Sequence, residues 1–184
     1  MSLMKSEEKL QIGDKAPAFN LKNIDGKYYA LGNFNNAKAL LIIFMCNHCP
    51  YVKPKVEEIK RLQKKYKDKG LVVVGINSNE SENYPEDSYE NMVKTAKEKN
   101  FNFYYLHDET QEAAKAYDAV CTPDPFLFNS EMKLVYHGRL DDAMNPNDIA
   151  TKKEMDEVIE ALLKGKKMNF PFRPSQGCSI KWKE

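Results

Sequence analysis

Seven consecutive apolar residues, Ala39 to Met45, run directly into Cys46-Asn47-His48-Cys49. Leu40-Leu41-Ile42-Ile43-Phe44 is apolar at every position and has no polar face to turn toward water. It therefore reads as a central strand covered on both sides. Such a strand needs a packed layer above and below it, which restricts the fold to a sheet enclosed by other elements. At 184 residues, with 42% hydrophobic side chains, one core of that kind is within reach.

The flanking patterns supply those layers. Val52, Val56, Ile59, Leu62 and Tyr66 recur at helical spacing and predict a helix that Gly70 closes. Leu71 to Ile76 is a second buried strand. Asp87 with Glu90 reads as a reciprocal helix cap, with Tyr89, Met92, Val93 and Ala96 on one apolar face. Phe103 to Leu106 suits a strand, and Thr110 a cap for a short helix through Tyr117. Phe126 to Phe128 and Leu134 to Tyr136 predict an antiparallel pair. Thr151, with Glu154 three residues on, opens a last helix that ends before Gly165. Upstream, Phe19 to Leu21 and Tyr28 to Leu31 flank Asp25-Gly26 as a hairpin.

The expectation is a single α/β domain spanning 1–184: a central mixed sheet flanked by helices, with an N-terminal β-hairpin extension. Residues 1–10 are expected to be disordered, with Met1-Ser2-Leu3 a cloning remnant, and 166–184 to form a tail packed on the domain. A net charge of +1 argues against binding nucleic acid through its phosphates. No apolar run reaches membrane-spanning length, and Met1 to Gln11 lacks the apolar core of a secretory signal, so a cytoplasmic location is expected.

Cys46 and Cys49 carry the chemistry. A thiol attacks as its thiolate, and a cysteine ending a buried strand and opening a helix would meet unpaired N–H groups that favour negative charge. On that reading Cys46 attacks, Cys49 resolves the mixed disulfide, and His48 tunes the pair.

Several residues make the chain resemble the thioredoxin-like superfamily. Cys46-Asn47-His48-Cys49 matches the CxxC motif, with His48 where protein disulfide isomerases carry a histidine. Pro54 stands where thioredoxins keep a helix-kinking proline. Cys121-Thr122-Pro123 with Phe126-Leu127-Phe128 resembles their cis-proline loop. Gly13 to Phe19 with Asp25-Gly26 is similar to the entry of the redoxin group, which includes alkyl hydroperoxide reductase-type peroxiredoxins and cytochrome-maturation thioredoxins. The resemblance covers about residues 11–164. It implies a thioredoxin-like fold and thiol–disulfide exchange without an organic cofactor. The partners it implies are protein or small-molecule disulfides and an upstream thiol reductant, for a monomer or weak dimer. It also makes Pro123, with Thr122, the docking point for an extended substrate, and Cys121 a candidate third thiol.

The chain departs from that pattern where Met45 replaces a tryptophan and Leu40 a buried aspartate. A different base is then needed, with Asp108 and Asp124 as candidates. Two further activities compete. Cys49-Pro50 is placed like a peroxidatic Cys-Pro, with Arg139 a loose match for the arginine of such sites. A metal-binding module is the other, although no second close ligand pair accompanies the first. Cys178 reads as a packed or surface thiol, and His107 and His137 as structural.

Overall fold

The computed structural model describes residues 2–184. Its main sheet has seven strands: β2 (Asn20–Asn23), β3 (Tyr28–Ala30), β4 (Ala39–Phe44), β5 (Leu71–Asn77), β6 (Tyr104–His107), β8 (Asp124–Asn129) and β9 (Leu134–His137). Their spatial order is β3-β2-β6-β5-β4-β8-β9, with β4, β5 and β6 parallel and the remaining neighbours antiparallel. The helices are α1 (Val56–Tyr66), α2 (Tyr89–Glu98), α3 (Glu112–Ala116) and α4 (Glu154–Leu163).

Period-two alternation along β4 explains the two layers. Leu41 and Ile43 face a core with Ile59 and Leu62 of α1, Met92 of α2 and Val158 and Ile159 of α4. Leu40, Ile42 and Phe44 face the other core, with Phe19, Phe34, Ala113, Ala114 and Tyr117. Every β4 residue is fully buried, each large one contributing about 1.5–3 kcal/mol through removal from water.

Helix starts differ from the sequence expectation. No helix starts at Cys46: residues 50–52 form a single turn, Lys53–Lys55 a 3₁₀ turn, and α1 begins at Val56. Pro50 and Pro54 lack the N–H that a continuous α-helix from Cys46 would require of them. Ser88, not Asp87, caps α2, accepting from Asn91 N at 3.3 Å. Thr110 accepts from Glu112 N at 3.5 Å, and Asp108 adds the closer support for α3 by accepting from Ala113 and Ala114 N–H. The final helix starts at Glu154, because Thr151 is bound to Asp142 instead.

The largest correction concerns the N-terminus. Within the stretch expected to be disordered, Leu3–Lys5 forms β1, and within the tail Gln176–Ser179 forms β10. With β7 (Cys121–Thr122) they make a second sheet in the order β1-β10-β7, and Cys178 lies opposite Thr122. Among the described residues no helix is long and apolar enough to cross a membrane.

Gly177 shows how closely β10 is seated. A Cβ on it would fall 1.8 Å from the Thr122 carbonyl oxygen, an atom of fixed backbone. Gly177→Ala should therefore lift β10 from β7 and cost about 1–3 kcal/mol, as overpacking does. Urea denaturation and amide exchange over 176–179 measure this; unchanged stability and protection would show that the strand is seated elsewhere.

Candidate functional site

The end of β4 delivers Cys46, and the turn after it brings Cys49 back beneath the β7–β8 junction. The Thr122–Pro123 peptide bond there is cis. Thr122 touches both thiols: its hydroxyl lies 3.4 Å from Cys46 Sγ and its carbonyl oxygen 3.3 Å from Cys49 Sγ. Both cysteines are buried. Cys49 sits at the cap of a helical turn, its carbonyl accepting from Val52 N at 3.1 Å and Lys53 N at 3.2 Å, with Pro50 in the first position where no N–H is needed.

The fourth cysteine completes the cluster. Cys178 Sγ, carried in by β10, lies 3.0 Å from Cys49 Sγ. Cys121 does not reach the pair; its sulfur faces the Pro123 carbonyl at 3.9 Å, and burial pushes its thiol up. No disulfide joins any two of the four cysteines in this structure.

The thiol contacts and burial favour negative charge on Cys49 over its two neighbours, against the Thr122 carbonyl, which accepts from the Cys49 S–H. The hydrogen bond from Cys46 is the largest influence on Cys49 and, with that from Cys178, outweighs burial, drawing the Cys49 thiol down to about 5. Cys46 moves the other way: burial, the bond to Cys49 and the nearby Asp87 carboxylate all hold it protonated. Burial and the same bond push Cys178 up to about 12. The sequence expectation placed the charge on Cys46 because it placed the helix start there; the helical turn begins at Cys49 instead.

Asp87 is the residue that the sequence reading missed. Fully buried, its carboxylate accepts from Asn47 N at 2.7 Å, Asn79 Nδ2 at 2.8 Å and His48 Nδ1 at 2.5 Å. Burial works to raise its pKa, but the bonds from His48 and Asn79 and the His48 charge interaction hold it below the usual carboxylate value. Asn47 is fixed further by Tyr105 OH, which donates to its Oδ1 at 3.0 Å, and by its own donation to the Glu86 carbonyl at 2.7 Å. Tyr84 stacks on His48 with ring centroids 5.1 Å apart. The available signal for Asp87 was its place in a segment rich in Asn and acidic residues between β5 and α2; reading it as a helix cap used it up.

The proposed bases lie elsewhere. Asp108 is committed to Ser78 Oγ at 2.7 Å and to the start of α3. Asp124 is paired with His137 Nε2 at 2.7 Å, and burial raises its pKa despite that partner. Arg139 binds Glu154 at 3.0 Å through Nε, while Arg61 and Arg173 also face carboxylates, so all three arginines are engaged. For metal binding, Cys46, His48 and Asp87 offer one donor each within 4.8 Å of one another. Three donors with His48 already bonded to Asp87 make an incomplete set for a tetrahedral ion.

Residues 12–137 match the model of the AhpC/TSA family. Over 129 residues the chain is 26% identical to thiol-disulfide oxidoreductase ResA of Bacillus thuringiensis, covering 70% of each protein. It is 30% identical over 112 residues to the putative peroxiredoxin bcp of Helicobacter pylori, covering 61% of this chain and 68% of that one. A crystal structure of an uncharacterized conserved protein from Geobacillus kaustophilus superimposes with a TM-score of 0.94 at 47% identity, over 100% of this chain and 97% of that one.

The Asp87 network gives a stability test. Removing one partner of a buried charged cluster leaves the others uncompensated, so Asp87→Ala should cost about 3–5 kcal/mol in urea denaturation. The exposed Glu82→Ala control should stay within about 0.5 kcal/mol. A loss at Asp87 no larger than the control's would show that the network carries no such weight.

Proposed function

Because the chain belongs to the AhpC/TSA family, we propose that it is a thiol–disulfide oxidoreductase in which Cys49 attacks and Cys46 resolves. The reading rests on one observation above the others: Cys49 Sγ is the sulfur on which neighbouring thiols converge. A thiolate stabilised that way is present at neutral pH and available to displace one sulfur of a disulfide.

The reaction then runs in two exchanges. Cys49 thiolate bonds to one sulfur of a substrate disulfide, and the other sulfur leaves as a thiolate that takes up a proton. Cys46 next attacks Cys49, releasing the second substrate thiol and leaving a Cys46–Cys49 disulfide. An external thiol reductant returns the pair to its reduced state. Cys46 must lose its proton as it attacks, and the His48–Asp87 couple stands within 4.8 Å of its sulfur. With Nδ1 bonded to Asp87, the buried Nε2 has no partner among the described residues. The His48–Asp87 couple thus supports the reading as the polar pair that stands beside Cys46. This couple takes the place of the aspartate that Leu40 replaces.

Thiol peroxidase activity is the second reading. It is favoured by the same low pKa at Cys49, the residue of the Cys49-Pro50 step, and by the likeness to a putative peroxiredoxin. The engagement of every arginine by a carboxylate speaks against it.

Reduction of glutathione disulfide, coupled to an external dithiol, separates these assignments. Cys49→Ser should fall to the uncatalysed rate, while Cys46→Ser should keep the first exchange and never accumulate the Cys46–Cys49 disulfide. Retained activity in Cys49→Ser would overturn the assignment of roles. Peroxide consumption exceeding disulfide reduction would favour the second reading.

A further inference from the structure

β10 enters the site in the manner of a docked substrate strand. It pairs antiparallel with β7, placing Cys178 opposite Thr122 and Ser179 opposite Cys121. This is the backbone edge beside Pro123 that the family resemblance assigns to an extended substrate. Gly177 lies against the Thr122 carbonyl, where no other side chain fits, and Cys178 Sγ is 3.0 Å from Cys49 Sγ.

Bonds on either side of Cys178 hold the strand in place. Upstream, Ser175 N donates to Ser6 Oγ at 2.8 Å and its carbonyl accepts from Ser6 N at 3.0 Å. Downstream, Ile180 N donates to the Val120 carbonyl at 3.0 Å, and Lys181 N to Asn79 Oδ1 at 2.9 Å. Asn79 in turn donates to Asp87, so the tail and the buried carboxylate share a clamp.

From this juxtaposition we propose that Cys178 is a built-in exchange partner of Cys49: the β10 strand presents it as an internal substrate, and the two sulfurs form a disulfide during turnover. The inference rests on the reading of Cys49 as the nucleophile and extends it to a third thiol. When Cys49 carries a mixed disulfide with a substrate thiol R, the Cys178 sulfur attacks Cys49. The Cys49–Cys178 bond forms, the bond to R breaks, and R leaves as a thiol with the proton from Cys178. Cys46 can then displace Cys178, regenerating its thiol and leaving the Cys46–Cys49 disulfide. The two electrons passed to the substrate come from two enzyme thiols, and an external dithiol restores them. Because β10 already occupies the edge of β7, the disulfide that reaches Cys49 is that of a small thiol such as glutathione, not an extended protein segment.

The test oxidises Cys46→Ser and Cys46→Ala proteins with glutathione disulfide, blocks remaining thiols with an alkylating agent, and maps disulfides by non-reducing peptide mass spectrometry. The expected product joins the peptides bearing Cys49 and Cys178, with Cys121 alkylated once the protein is denatured. Cys49 left as a stable glutathione adduct, with Cys178 alkylated, would overturn the inference. The wild-type chain is mapped in parallel after limiting oxidation, so that a misfolded variant cannot decide the outcome; a Cys49–Cys178 link should appear there and disappear in Cys178→Ala. This readout does not depend on turnover. A wild-type chain that forms the link yet fails to reduce glutathione disulfide would refute the proposed activity and leave the pairing standing.

Discussion

Two neighbouring buried sulfurs cannot both hold a negative charge, because each pays the desolvation cost and each repels the other. Around that constraint the site is arranged asymmetrically. Cys49 sits at the cap of a helical turn with Cys46 and Cys178 as thiol neighbours. Cys46 faces the Asp87 carboxylate, which opposes a second negative charge beside it. Both features favour the charge on Cys49 over Cys46.

The surrounding structure keeps that asymmetry in place. β4 is buried on both faces, so its end is a fixed point from which the Cys46–Cys49 turn projects. Asp87 fastens the turn through Asn47 N and His48, and Asn79 joins Asp87 to the chain's last segment. Thr122 closes the cluster from the other side, using its hydroxyl toward Cys46 and its carbonyl toward Cys49. Strand order, loop and tail thus converge on a few atoms.

Much of the fold was legible because its signals are local. The run through β4, the helical spacing of Ile59 and Leu62, and the Asp25-Gly26 turn each point to an element that is present. The helix start was misplaced because apolar periodicity does not register missing N–H groups, whereas Pro50 and Pro54 do. Cys46, Cys49 and His48 stood out by their spacing, yet their chemistry depends on residues far away in sequence. Asp87 lies 39 residues from His48, and Cys178 lies 129 from Cys49. No periodicity links positions so distant, and the short strands β1 and β10 were hidden in polar segments that gain their order only by pairing. Cys121 seemed the better third thiol because it adjoins Pro123, but strand pleating turns its sulfur away from Cys49.

The most direct test is a pH titration of thiolate ultraviolet absorbance in the reduced chain, compared with Cys49→Ser. One thiolate should appear with a midpoint of about 5 and be absent from the variant. A lowered pKa means that the unfolded chain binds the extra proton between that midpoint and about 8.5, the ordinary thiol value. The stability contributed by Cys49 should accordingly be complete above about 8.5 and fade as pH falls toward 5. An acidic step that survives in Cys49→Ser and vanishes in Cys46→Ser would place the charge on the other sulfur and contradict the account.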